Sequence, residues 1–450
     1  MTIFLDLTRI STRLLRGGPT GIDRVEFAYA THLSQEGHGS LVNVLTAPFV
    51  TGAVPAAVMR EHLAKIERAW LREREAALGD TFYAAVRQAL DAPVDPSRTQ
   101  SLRLKRNSRR ETMRKALQFP LIDIVKAPGR LRRVLARTAG IAPSVYFHAS
   151  HTQLDKPQRF DWLRRHAIPS VFLIHDTIPV DYPEFCSPGS AARHHRRLAT
   201  VSRLASVVVA NSQATRRSVR AYMERQGWHV PEIEVVPLGV DDRFAARGAL
   251  PPPSGDYFVC VGTIEPRKNL IFLFNIWPEL VSRFGTKAPR LVLVGRRGWE
   301  NEAMLDVLER SRALAPFLVE IADLSDAGLA ALIEGAVALL APSQVEGFSL
   351  PVLEALSIGT PVVASDIEVH REVGQGLVRL VSPIDGLGWL DAILRLKQER
   401  DDGVARPGDG FRPPSWEAHV EVTQDILKRV ALGRSATFSQ SEAPDHRDVA

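Results

Sequence analysis

Cysteine is scarce in this chain, with only Cys186 and Cys260 among 450 residues. Two thiols so far apart make neither a disulfide framework nor a zinc site, and they suit a reducing compartment. Both read as small buried apolar residues. No apolar run approaches the roughly 18 residues that a membrane span needs. Residues 1–6 run straight into a strand pattern without a basic and then apolar leader, so a cytoplasmic protein is expected. No Asp-x-Asp pair stands at a predicted strand end, and no metal or other cofactor is expected.

What is present is globular material, 45% hydrophobic and 24% charged. At this length two domains are the natural division. The net charge of +6 is concentrated in one place. Residues 98–137 hold thirteen Lys or Arg against Glu111 and Asp123, so this stretch is +11 and the remainder is −5. A nucleic-acid binder would interleave stacking aromatics here, but Phe119 stands alone, and no nucleic-acid partner is expected. Leu102, Leu104, Leu117, Phe119, Leu121, Ile122, Leu131, Val134 and Leu135 punctuate the charges. That pattern suits a helix lying on an anionic membrane, or equally a solvated basic face packed inward by its leucines.

Short β-branched runs alternate with helix-length segments, the pattern of parallel sheets with crossover helices. Strands are expected at 3–7, 41–45, 145–148, 171–175, 207–210 and 234–237, then at 257–262, 290–295, 318–321, 338–341, 361–364 and 378–381. The fold class is therefore α/β, with two doubly wound Rossmann-like domains at 1–240 and 257–414. The linker is 241–256, where Pro251-Pro252-Pro253-Ser254-Gly255 can continue neither helix nor central strand. Residues 55–138 read as a helical, basic insertion in the first domain. Residues 415–434 form a helix capped by Ser415 that packs back on the first domain, and 435–450 read as a disordered tail.

Chemistry concentrates at predicted strand ends. Gly262-Thr263-Ile264-Glu265-Pro266-Arg267-Lys268-Asn269 follows the first strand of the second domain. Gly262 lets the backbone approach a ligand, and Arg267 and Lys268 offer a planar fork and a point charge to a diphosphate. Further on, Glu346-Gly347-Phe348-Ser349-Leu350-Pro351 leads into a helix. The free N–H groups at Phe348, Ser349 and Leu350 make an anion site. Glu346 before that helix and Glu354 one turn inside it are suited to accept from sugar hydroxyls.

The Glu-x7-Glu spacing of Glu346 and Glu354, with the Glu-Pro-Arg-Lys-Asn run, resembles the retaining glycosyltransferases of family 4, which have the GT-B fold. In that fold two Rossmann-like domains face each other across a cleft. The resemblance covers most of 145–396. It implies that Arg267 and Lys268 hold a donor diphosphate, that Glu354 binds ribose, and that Glu346 binds the transferred sugar. Phe348, Ser349 and Leu350 would supply backbone donors. Ser349 departs from a glycine common in relatives, which narrows the sugar site.

In the first domain the resemblance marks His175-Asp176-Thr177-Ile178-Pro179 at a strand end. There His175 would touch the transferred sugar or orient the acceptor, and the context points to a hexose such as mannose on GDP. The glycine-rich loop ending at Gly21 and Arg24 would face phosphate or acceptor. Arg193-His194-His195-Arg196-Arg197 reads as a solvated helix face. The partners implied are a nucleotide-diphosphate sugar and a glycan or lipid-linked glycan acceptor, with an anionic inner-leaflet surface against 98–137. The alternative is a non-catalytic nucleotide-sugar-binding protein on the same fold.

Overall fold

The computed structural model describes residues 1–13, 20–34, 40–46, 50–75, 81–105, 121–138, 141–241, 244, 250–322, 324–404 and 411–433. The expected tail, the core of the basic stretch, part of the linker and most of the glycine-rich loop lie outside them.

Two seven-stranded sheets organise the chain. The first runs β3 (Thr51–Val54), β2 (Ser40–Thr46), β1 (Thr2–Asp6), β5 (Ser144–His148), β6 (Ser170–Ile174), β7 (Val207–Ala210), β8 (Glu232–Val235). The second runs β14 (Arg379–Val381), β13 (Val362–Ser365), β12 (Leu339–Ala341), β9 (Tyr257–Val261), β10 (Arg290–Val294), β11 (Leu318–Ala322), β4 (Leu102–Lys105). Pairing is parallel throughout except between β2 and β3. Such sheets are covered on both faces. Alternation along the strands supplies both cores of the first sheet. Leu5, Phe147, Leu173 and Val209 face one side, and Phe4, Tyr146, Phe172 and Val208 the other. This is the expected pair of doubly wound domains.

The interval expected as a helical insertion of the first domain is instead shared between the two. Helix Leu121–Thr138 does pack on the first sheet, burying Ala127, Leu131 and Leu135. Gly52 permits that approach, since a Cβ there would lie 2.3 Å from the Ala127 carbonyl carbon. The helix thus spends these leucines on the protein core, which bears out the second of the two readings, a basic face packed inward by its leucines. Lys126, Arg132, Arg133 and Arg137 remain exposed. Residues 81–105, by contrast, belong to the second domain. Val86 and Leu90 of helix Thr81–Asp91 enter its core beside Tyr257, Val259 and Leu332. Arg290 donates to the Leu90 carbonyl at 2.7 Å, and β4 closes the open edge of β11.

Helix Trp416–Ala431 returns to the first domain. His419 Nδ1 donates to the Pro237 carbonyl at 2.8 Å, which leaves Nε2 to accept from the Tyr29 hydroxyl at 2.5 Å. Val420, Ile426, Leu427 and Val430 join Val25 and Tyr29 in one core. Burying each such aliphatic side chain contributes about 1.5–3 kcal/mol.

Candidate active site

In a doubly wound sheet a crevice opens at the carboxyl ends of the two strands between which the order reverses. In the second sheet those strands are β9 and β12. Gly262 follows β9 with φ +139°, and a Cβ there would come within 2.9 Å of Lys268 Cε. Glycine is the residue that tolerates both conditions. A single 3-10 turn at Pro266–Lys268 then ends on Asn269 at φ 54°, before helix Leu270–Phe284 begins. This turn presents Arg267 and Lys268 to the loop after β12, to which it is tied by a 2.9 Å bond from Gln344 N–H to the Arg267 carbonyl.

Glu346 in that loop gathers the two cations. Its carboxylate accepts from Lys268 Nζ at 2.6 Å, from Ser343 Oγ at 2.8 Å and from the Arg267 guanidinium. Arg267 Nε also pairs with Glu265 at 2.5 Å. The Glu346 side chain is only 6% exposed. Burial alone would raise its pKa, but Arg267 and Lys268 overcome that and hold it at about 2. At Glu265 the balance falls the other way, and burial keeps the carboxyl above its usual range. An ionised carboxylate therefore sits between two cations, and further hydrogen bonding is available to an incoming ligand.

Helix Leu350–Ile358 starts immediately after. Its N-cap, Ser349, is buried and makes no side-chain cap bond, and Pro351 stands in the first turn. The helix N-terminus borders the recess lined by Gly262, Lys268, Ser343, Ser349 and Pro351. An uncapped helix start beside Lys268 has the geometry and the dipole that suit an anion.

The first domain closes over this loop. Gly347 lies so close to the His175 carbonyl that a Cβ would be 2.2 Å from its oxygen. Ser212 Oγ and Thr215 Oγ1 donate to the Gly347 carbonyl at 2.9 and 3.1 Å. Phe348 touches cores of both domains. Glu372 of the second domain accepts from Gln213 N–H at 2.8 Å, at the start of helix Gln213–Arg225 in the first.

His175 is 5% exposed, and its Nε2–H donates to the Ala149 carbonyl at 2.9 Å. Burial lowers it to about 4, so it is neutral near pH 7. Its ring is thus held by the first domain, while the neighbouring Asp176 is the residue that feels Arg267 and Glu346 electrostatically. Burial raises the Asp176 carboxyl. Gly21 lies opposite the donor-side helix, with its Cβ position 3.5 Å from Leu350 Cδ1. Arg24 forms an ion pair with Asp326 across the domains. Burial depresses the Arg24 guanidinium, but Asp326 and then Glu354 more than offset this, which places Glu354 within its field. Glu354 itself is buried.

The sequence reading missed the interdomain roles of Asp326, Ser212 and Thr215, and it misplaced one histidine. His194, expected on a solvated face, is 1% exposed and its Nε2 lies 3.1 Å from the Asp176 carbonyl.

Comparison with known proteins bears on the family and the fold. A family model described as Glycosyltransferase Family 4 matches residues 88–244, and one described as Glycosyl transferases group 1 matches 255–399. A serotype-specific mannosyltransferase of Escherichia coli is 28% identical over 241 residues, covering 48% of this chain and 28% of that protein. An E. coli O-antigen chain mannosyltransferase B is 35% identical over 177 residues, covering 38% and 45%. A phosphatidyl-myo-inositol mannosyltransferase of Mycobacterium tuberculosis is 33% identical over 226 residues, covering 47% and 57%. The matched segment thus spans about half or less of the first two relatives' own lengths.

Among solved structures, an α,α-trehalose-phosphate synthase of Burkholderia xenovorans with glucose-6-phosphate has a TM-score of 0.53 at 15% identity. It covers 96% of this chain and 100% of that one. The Anabaena HepE protein with UDP and glucose has a TM-score of 0.52 at 13% identity, covering 96% of each chain. These two establish the shared GT-B architecture. The chain belongs to the glycosyltransferases, with a family 4 segment centred on its first domain and a group 1 segment in its second.

Proposed function

We propose that the protein transfers a hexosyl unit, mannose by analogy with its relatives, from a nucleoside diphosphate sugar to a glycan or lipid-linked glycan acceptor in surface polysaccharide synthesis. The observation that carries this is the Arg267–Glu346–Lys268 cluster beside an uncapped helix N-terminus at the switch point of the second sheet.

Departure of the nucleoside diphosphate builds negative charge on the leaving phosphate and positive charge at the anomeric carbon. Arg267, Lys268 and the N–H groups at the start of helix Leu350–Ile358 stabilise the first, as fixed charges and dipoles aimed at one point. These cations supply the charge compensation that a metal ion gives elsewhere, so no cofactor enters the scheme. Glu346, ionised, accepts from hydroxyls of the transferred sugar and orients it. Attack on the face that the leaving group vacates, with the departing phosphate taking the acceptor proton, gives retention of configuration. His175 and the Gly21 turn, on the opposite wall, position the acceptor.

The exposed residues Lys126, Arg132, Arg133 and Arg137 support electrostatic attachment to an anionic inner leaflet, where a lipid-linked acceptor would be presented. Among the described residues no helix is long and apolar enough to cross a membrane. Flotation with anionic and neutral vesicles tests the attachment, and equal recovery with both would sink it. The transferase reading is tested by donor hydrolysis across a panel of nucleotide sugars. It stands if one donor is turned over and Arg267→Gln abolishes that turnover. A folded protein that binds a nucleotide sugar but turns none over would overturn it, and an inverted anomeric product in NMR would overturn retention alone.

A further inference from the structure

The first sheet reverses its strand order between β1 and β5. Its own ligand crevice therefore opens where Arg9 follows β1 and His151 follows β5. Three imidazoles meet there. The His151 ring centroid lies 5.2 Å from that of His175 and 5.1 Å from that of His194. His194 and Arg197 stand almost one turn apart on helix Ser190–Leu204.

The hydrogen bonding of this cluster is incomplete. His194 Nδ1 and Arg197 Nε are buried, and neither has a hydrogen-bond partner. His151 is 7% exposed, and its Nε2 accepts from the His175 N–H at a long 3.4 Å. Buried polar atoms left in this state cost stability unless a ligand satisfies them. The charge is equally one-sided. The groups acting on His151 are His194, His175, Arg197 and Arg9, all cations or potential cations. Arg9 is paired with Asp23 at 2.6 Å. Asp155 and Asp176 attract Arg197 and Asp181 attracts His194, but among the described residues no carboxylate forms an ion pair with Arg197. An unpartnered guanidinium N–H, a positive potential and a route to solvent along the half-buried Arg197 together suit an anion.

We propose that His151, His194 and Arg197 form a phosphate subsite in the first domain, which takes a phosphate group carried by the acceptor. The identity of the occupant rests on the transferase reading above; the anion site itself does not. Arg197 supplies the fixed charge. His194 Nε2 is committed to the Asp176 carbonyl, so its Nδ1 can donate to a phosphate oxygen only after taking up a proton. Burial holds His194 at about 4 in the empty site, with Arg197 pushing the same way, so anion binding near neutral pH draws that proton from solvent.

Calorimetry with inorganic phosphate on the full chain, in two buffers of different ionisation enthalpy, reads affinity and proton uptake together. The expected result is binding with net proton uptake, weakened roughly tenfold or more in Arg197→Gln, partly restored in Arg197→Lys and kept in Arg267→Gln. In His194→Gln the proton uptake should vanish. Binding that is lost in Arg267→Gln but unchanged in Arg197→Gln would place the anion on the donor-side cations and overturn the proposal. Failure of the wild type to bind phosphate would overturn it too. Melting curves by circular dichroism confirm that the variants are folded. A hexose phosphate and a short-chain polyprenyl diphosphate then distinguish a soluble acceptor from a lipid-linked one, according to which displaces phosphate. If neither does, the assignment to the acceptor falls. Donor hydrolysis needs no acceptor, so it tests the transferase reading separately.

Discussion

Lys268 Nζ lies 2.6 Å from Glu346 Oε1, and Arg267 donates to the other oxygen of the same carboxylate. The three residues form one electrostatic unit, so neutralising its centre affects both cations together. Glu346→Gln removes the anion that they enclose and leaves two buried positive charges without it. Breaking such a buried pair costs about 3 kcal/mol or more. Transfer is expected to fall by about 10²–10³-fold through misplacement of the cations and loss of the sugar contact. The kcat on the active donor measures this, and a variant within a few-fold of wild type would remove Glu346 from the reaction.

The same carboxylate sets a pH dependence. Burial would raise Glu346, but its two partners bring it to about 2 from the ordinary 4.5. A carboxylate depressed in the folded state contributes stability that is complete above the unfolded value and is lost as pH falls through the folded one. The contribution, about 3 kcal/mol, should therefore fade between roughly pH 5 and pH 2. Wild type and Glu346→Gln, compared by denaturant midpoint at several pH values, should converge across that window. The buried neutral histidines also lose stability on acidification, but they are common to both proteins and cancel in the difference. A gap that stays constant down to pH 2 would contradict the assignment.

Gly347 gives a steric test of the interdomain contact. Its Cβ position is 2.2 Å from the His175 carbonyl oxygen and 2.6 Å from Asp176 Cβ. Gly347→Ala must push the two walls of the cleft apart or shift the Glu346 loop. Overpacking of this kind costs about 1–3 kcal/mol, and a displacement near 1 Å at a reacting centre is enough to lose about 10²-fold in rate. Activity should fall far more than melting temperature does. Full activity in this variant would show that the observed approach of the domains is dispensable for turnover.

Much of this was legible in the sequence, for physical reasons. Parallel strands are buried on both faces, so their apolar runs stand out, and all twelve expected strands occur. Gly262, Arg267, Lys268 and Glu346 lie on loops at strand ends, where residue type follows ligand chemistry rather than packing. The two remaining strands were hidden. Leu102–Lys105 alternates apolar with basic residues over four positions and sits at a sheet edge. Its partner β11 begins more than two hundred residues later, and no local pattern encodes such a pairing. Thr51–Val54 is equally short, and Gly52 weakens its strand signal. The histidine cluster had a readable cue in His151, three residues past the end of β5. His194 did not, because its basic neighbours on the helix made the whole face look solvated.

The shared interval leads to a prediction about folding. Helix Thr81–Asp91 and β4 precede the second domain in sequence, yet they cover its core and close its sheet. A protein limited to residues 250–412 would expose Tyr257, Val259 and Leu332 where Val86 and Leu90 now pack, and would leave β11 as an open edge. Exposed apolar surface beside an unpaired strand promotes association. That fragment is expected to aggregate, whereas the same fragment with residues 81–105 joined through a flexible linker should elute as a monomer and unfold cooperatively. In the intact chain, Leu90→Ala should cost about 2–4 kcal/mol, because Leu90 is 1% exposed in a packed core. Size-exclusion chromatography and denaturant unfolding measure both effects. A soluble, cooperatively folding 250–412 would mean that the segment is merely laid on the second domain, and the cost at Leu90 should then be small.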